Sequence, residues 1–168
     1  MRTVAEQRRR ERLQTAAVLI GLAWVIYVVG MGNTAFSEMH SGHPCDENLL
    51  RGFDNCGDRW LWITVLTVSA LVLVILIAGV GFLAHSSADA RYAALVFCAM
   101  ALPIAAWIWI LASPPPVAVQ PKVAALAWLG PVAAMIAHPL LRVWQRLVAA
   151  VVLCLPALAT WSIGPTVL

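Results

Sequence analysis

The sequence predicts an all-α fold: a polytopic transmembrane helical bundle with about five spans. The first observation is composition, since 62% of the 168 residues are hydrophobic and only 11% are charged. Soluble domains are typically about 45–50% apolar and about 25% charged. The second is distribution, because the apolar residues form long runs close to the roughly 20 residues that a helix needs to cross the hydrocarbon. Lipid must therefore be the solvent for much of this chain.

Five runs qualify as spans, and none of them contains Asp, Glu, Lys or Arg: 15–32, 60–84, 92–112, 123–141 and 147–165. They are continuous rather than alternating, which favours helices over the strands of a barrel. The last two runs are less clean, because they contain three prolines and are joined by a short connector. The alternative is therefore four spans with a broken or re-entrant C-terminal region.

The first span follows a basic N-terminal segment, residues 1–14, and the remainder, 15–168, is predicted to form one transmembrane domain. The run 15–32 is long for a secretory signal, and no clear cleavage site follows it. We therefore expect an uncleaved helix that continues into the basic segment, whose residues favour helix formation. Arginines beside a membrane helix also bind anionic lipid headgroups, and the candidates are Arg8, Arg9, Arg10 and Arg12.

Charge sorts the connectors onto two sides. Segments 1–14, 85–91 and 142–146 carry eight Lys and Arg residues, whereas 33–59 and 113–122 carry three. The positive-inside rule then predicts a cytoplasmic N-terminus and an extracytoplasmic C-terminus in a plasma membrane, the inner membrane of a bacterium.

Tryptophans provide a second indication of the same topology. Amphipathic indoles prefer the membrane interface, and several lie where the spans are expected to meet the outer surface: Trp60, Trp62, Trp107, Trp109 and Trp161. Trp24 falls deeper within a span, where we expect packing between helices.

The outer loop, 33–59, is the longest of the connectors between the predicted spans. Cys45 and Cys56 bound 12 residues of it, and an outer face is oxidising. The spacing predicts a Cys45–Cys56 disulfide worth about 3 kcal/mol of loop-closure entropy, which would make the loop a stapled cap. Cys98 and Cys154 lie inside spans and are expected to stay reduced.

Two more specific interpretations of this loop, metal binding and redox catalysis, have less support in the sequence. His40 and His43, close to Cys45, suit copper or zinc, but their spacing is not that of a strong zinc site. A disulfide-forming redox site usually presents a close C-x-x-C pair, which the loop lacks. His85 and His138 lie near helix ends, which disfavours a bis-histidine haem. No cofactor is therefore expected.

The spans lack the ionisable groups that pumps and proton-coupled carriers need, and no catalytic motif is present, so an enzyme is disfavoured. The sequence favours a non-enzymatic accessory or assembly subunit of a membrane complex. One alternative is a small transporter or homo-oligomeric channel, and another is an extracytoplasmic redox or metal-handling protein that uses residues 39–56. The expected partners are the lipid bilayer and other membrane subunits or further copies of the chain, and not nucleic acid.

Overall fold

The computed structural model describes residues 4–41, 56–85, 87–112, 120–138 and 141–163. Over these ranges the chain is almost entirely helical, which confirms the predicted all-α bundle. Six helices follow one another: α1 Val4–Ser41, α2 Cys56–Ala84, α3 Ala88–Ala112, α4 Gln120–Leu126, α5 Leu129–Ile136 and α6 Val143–Ile163.

Four of these helices are long and apolar enough to cross a membrane, counting the described residues alone: α1, α2, α3 and α6. The chain is therefore a multi-pass membrane protein. Each long helix begins before the apolar run that predicted it, because helix-compatible polar residues continue the hydrogen-bonded backbone past the hydrocarbon.

Helix α1 is the clearest case of such an extension. Its 38 residues correspond to a length of about 57 Å, well beyond the predicted span 15–32. The extension into the basic segment was expected, but residues 33–41 were assigned to the outer loop and are helical instead. The reason is burial: Thr34 and Ala35 pack inside the bundle, and the Thr34 hydroxyl donates to the Gly30 carbonyl at 3.0 Å.

The fourth predicted span, 123–141, is divided into the two short helices α4 and α5. Proline has no amide hydrogen and its ring clashes with the carbonyl four residues earlier. Pro131 therefore cannot bond to Ala127, and the Gly130 amide donates to the Ala127 carbonyl at 3.3 Å instead. The break is buried inside the protein, with Ala127 fully enclosed, as irregular backbone at membrane depth requires.

One end of the bundle is rich in arginine, and we call it the arginine-rich end. Here Arg9 of α1 forms an ion pair with Asp89 of α3, and the Arg91 side chain donates to the His85 carbonyl after α2. The beginnings of α1 and α3 and the end of α2 therefore meet at this end.

The opposite end carries Trp62, Trp107, Trp109 and Trp161, and we call it the tryptophan-rich end. Arg59 of α2 donates to the Ala112 carbonyl at the end of α3, and Lys122 of α4 lies over the Trp161 ring of α6.

The broken segment crosses the whole bundle between these two ends. Gln120 at its start donates to the Trp109 carbonyl, while Ala134 near its end accepts a hydrogen bond from Tyr92 at the beginning of α3. Among the described residues, four long helices and the broken segment thus run along the bundle in alternating directions. The prediction of five spans and its alternative of a broken C-terminal region each describe part of this arrangement.

The core lies where α1, α3 and the broken segment meet. Its largest fully enclosed side chains include Tyr27 and Met31 of α1 and Leu102 and Trp109 of α3. Helix α2 packs against α1 and α3, whereas α6 packs against α4 and α5. Trp109 was predicted at the membrane interface but is wholly buried, because its indole donates to the Thr64 hydroxyl at 3.3 Å.

Candidate functional site

Halfway along the bundle, a proline in α3 and the break in the fourth segment lie side by side. Pro103 lies inside α3 and cannot donate to the carbonyl of Ala99, four residues earlier. Gly130, directly before Pro131, packs against that same Ala99 carbonyl. We call this contact the proline junction.

The proline junction depends on the absence of a side chain at position 130. A Cβ atom added to Gly130 would lie 2.8 Å from the Ala99 oxygen and 2.9 Å from Leu102 Cδ1, which is closer than real Cβ atoms approach. Only glycine lets the two backbones come this close. On the other side of α3, the Trp24 indole donates to the Cys98 carbonyl at 3.2 Å, so α1 is tied to the same turn.

Two polar atoms of the core have no hydrogen-bond partner among the described residues. They are the hydroxyl of Tyr27 and Oε1 of Gln120, and both side chains are fully enclosed. A buried polar group without a partner costs roughly 1–3 kcal/mol, so these atoms mark where the core is least well satisfied.

A cleft of about 280 Å³ opens at the tryptophan-rich end. Its lining comes from the last turns of α1 and the start of α4 and includes four polar residues, although most of the surface that faces the cleft is apolar: Gly30, Asn33, Thr34, Ser37, Glu38 and Val123. The cleft exists because α1 continues beyond the predicted span and α4 begins beside it. Hydroxyl, amide and carboxylate groups here could accommodate a small polar molecule.

At the arginine-rich end, Tyr92 of α3 contacts both α5 and the residue His138 beyond it. Its hydroxyl donates to the Ala134 carbonyl at 2.5 Å, and its ring meets the His138 ring edge-on with centroids 4.8 Å apart. His138 lies beyond the end of α5, and its Nδ1 accepts the Leu141 amide at 3.3 Å. Burial, and then the positive charge of Arg146, lower the pKa of His138 below its usual range.

The predicted metal and disulfide residues fall mostly outside the described part of the chain. His43 and Cys45 lie in 42–55, and the side chain of Cys56 is likewise outside it. His40 is in the last turn of α1, where its Nδ1 lies 2.8 Å from the Phe36 carbonyl.

The other two cysteines, and the possible metal ligands of the described residues, can be assessed from the structure. Cys98 and Cys154 are free thiols, the first buried and the second exposed. Over the described ranges, His, Cys, Asp and Glu side chains do not gather into a group of three or more that could hold a metal ion.

Of the arginines predicted to bind lipid headgroups, Arg8 and Arg10 are exposed, whereas Arg9 and Arg12 are half-buried. Arg9 is paired with Asp89. His85 is an exposed residue directly after α2, and its Nδ1 lies 2.7 Å from the Gly81 carbonyl.

Sequence reasoning missed the proline junction and the part played by Arg146. The prolines were visible, and the spacing of four between Ala99 and Pro103 identifies the carbonyl that α3 leaves without a donor. No pattern in the sequence indicates that Gly130 would lie against that carbonyl, or that Arg146 would approach α1. Comparison with protein-family models, with curated proteins and with solved structures finds no match for this chain.

Proposed function

We propose that this chain is a non-enzymatic accessory or assembly subunit of a membrane complex, with its arginine-rich end in the cytoplasm. The observation that carries the proposal is the contrast between a tightly packed core and a largely uncovered α6. In the core, indole and phenol groups bond to the neighbouring helix, as Trp24, Tyr92 and Trp109 do. Such cross-links suit a fixed scaffold rather than an alternating-access carrier.

Helix α6 offers the surface through which the scaffold would act. Only 11% of its apolar window is buried, compared with 22% for α2 and 39% for α3. Its outward side chains include Leu155 and Leu158, with Trp144 and Trp161 exposed towards its two ends. In lipid, helices associate through close packing rather than through hydrophobicity, so a complementary helix of another subunit would fit this face.

Native mass measurement of the gently solubilised protein tests the proposal. We expect foreign subunits in fixed stoichiometry. We expect the variant Leu155→Ala/Leu158→Ala to lose them, because truncated leucines would leave cavities in a protein–protein interface, whereas lipid tails would fill the same space on a lipid-facing surface. The matched control is Leu73→Ala/Leu76→Ala on α2, which has the same spacing. All four leucines are between 57% and 64% exposed.

Both variants should keep the thermal stability of the isolated chain. Wild-type protein that purifies without a foreign subunit, or equal loss in the two variants, would count against an accessory role.

A small transporter or homo-oligomeric channel is the second candidate, and two observations favour it. The fourth segment is broken inside the bundle, as the helices around transporter binding sites often are, and a cleft lined by Asn33, Ser37 and Glu38 among others opens at the tryptophan-rich end. Against it, the five predicted spans contain no Asp, Glu, Lys or Arg. A closed homo-oligomer in the same native mass measurement would favour this candidate.

A further inference from the structure

The arginine-rich end holds far more positive than negative charge. Within the described ranges it carries seven arginines, at positions 8, 9, 10, 12, 91, 142 and 146, against the three carboxylates of Glu6, Glu11 and Asp89. Because like charges at a surface repel, this end needs anions from outside the protein to neutralise it.

Two of these arginines hold the helices together. The Arg9 guanidinium pairs with Asp89 across α1 and α3. Arg91 donates from Nε to the His85 carbonyl at 2.8 Å and lies 5.4 Å from the centre of the Phe82 ring. Their charges are therefore largely engaged within the protein.

Arg12 and Arg146 are brought together from distant parts of the chain. Arg12 lies one helical turn after Arg9, just as Tyr92 lies one turn after Asp89, so Arg12 is level with Tyr92. The Tyr92 ring contacts His138, His138 accepts the Leu141 amide, and Arg146 donates to the Leu141 carbonyl. Arg12 and Arg146 therefore approach the same end of α5 from α1 and from α6, where their positive charges repel each other. Both arginines are only half-buried, so a ligand can reach them.

The orientation and depth of Arg146 suit a phosphate group. Its Nε donates to the Leu141 carbonyl at 2.8 Å, which fixes the plane of the guanidinium and leaves its terminal nitrogens to one side. Trp144, two residues earlier, is exposed on the outside of α6, and an exposed indole prefers the depth of the lipid headgroups.

We propose that Arg12 and Arg146 together bind the phosphate of an anionic phospholipid headgroup, at the surface between α1 and α6 where α5 ends. A guanidinium offers two parallel N–H donors to phosphate oxygens, and one anion between two guanidiniums removes their mutual repulsion. The inference does not depend on the proposed function, since either an accessory subunit or a transporter could use such a site.

Thermal unfolding in detergent, titrated with phosphatidylglycerol or phosphatidylcholine, tests the site. We expect phosphatidylglycerol to stabilise the wild type more than phosphatidylcholine does. The variant R12Q/R146Q should need at least about tenfold more phosphatidylglycerol for the same stabilisation. The matched control R8Q/R10Q removes the same charge from exposed positions on the same end, and it should need a clearly smaller increase in phosphatidylglycerol than R12Q/R146Q, because it weakens only the general attraction of the surface for anionic lipid.

Three results would overturn the proposal. An equal loss of stabilisation by phosphatidylglycerol in R12Q/R146Q and in R8Q/R10Q would mean that lipid binding depends only on the total charge of this end. An R12Q/R146Q variant that binds phosphatidylglycerol as tightly as the wild type would show that these two arginines do not form the binding site. Equal stabilisation by inorganic phosphate would mean that the ligand is a soluble anion. If R12Q/R146Q does not fold, R12K/R146K decides: weaker binding supports guanidinium recognition, and unchanged binding refutes it.

Discussion

Replacing Gly130 with alanine tests the proline junction directly. The added Cβ would lie 2.8 Å from the Ala99 carbonyl oxygen and 2.9 Å from Leu102 Cδ1, whereas ordinary contacts begin at 3.4 Å. The Leu102 side chain can rotate away, but the Ala99 oxygen belongs to a helix backbone and cannot. Helix α5 must therefore move away from α3.

The change in the free energy of unfolding follows from two opposing effects. Overpacking a close-packed interior typically costs about 1–3 kcal/mol. Alanine in place of glycine recovers about 0.5–1 kcal/mol through its lower conformational entropy. We expect Gly130→Ala to lower the free energy of unfolding by about 1–2 kcal/mol.

The assay is reversible unfolding in mixed micelles, followed by far-ultraviolet circular dichroism. Gly21→Ala is the matched control, because Gly21 is also helical and a Cβ there would meet nothing within 4 Å. The control should be neutral or slightly stabilising. A Gly130→Ala protein as stable as the control would refute the close approach of α5 to α3.

Three further predictions concern other parts of the chain. Tyr92→Phe should lower the unfolding free energy by about 1 kcal/mol, because the Ala134 carbonyl loses its donor, and unchanged stability in the same assay would exclude this bond. Differential alkylation and mass spectrometry should find Cys45 and Cys56 bonded to each other, with free loop thiols in fresh membranes as the contrary result; replacing both with serine should be no more destabilising than replacing either. Reporter fusions should place the N-terminus in the cytoplasm and the C-terminus outside, and matching signals at both termini would contradict an odd number of crossings.

The helical class and the long helices follow from the sequence because they depend on local quantities. Runs without charge place α2, α3 and α6 to within a few residues, and prolines indicate that the fourth span is irregular. These signals are local, since each depends on the solvent around a segment or on the chemistry of one residue. The end of α1 was misjudged because Asn33 and Ser37 resemble loop residues, whereas burial of Ala35 keeps the helix intact.

The candidate sites were harder to predict because they join residues far apart in the chain. Gly130 meets Ala99 across 31 positions, and Arg12 and Arg146 belong to the first and the last helix. Trp109 was predicted at the interface from its position near a span end, and only its contact with Thr64 across two helices explains its burial. Hydropathy describes which segments enter lipid and says nothing about which faces meet there.

The broken fourth segment has a consequence for the order in which the chain assembles. Alone in lipid, irregular backbone such as this break would be costly, because nothing around it could satisfy its polar groups. The segment packs against α1 and α3, which precede it in the chain, and against α6, which follows it. Since synthesis proceeds from the N-terminus, the surfaces of α1 and α3 are already in the membrane when residues 120–136 leave the ribosome, and α6 covers the segment afterwards. The order of the helices in the chain therefore favours assembly, because the segment least compatible with lipid is synthesised after the surfaces of α1 and α3 that it packs against.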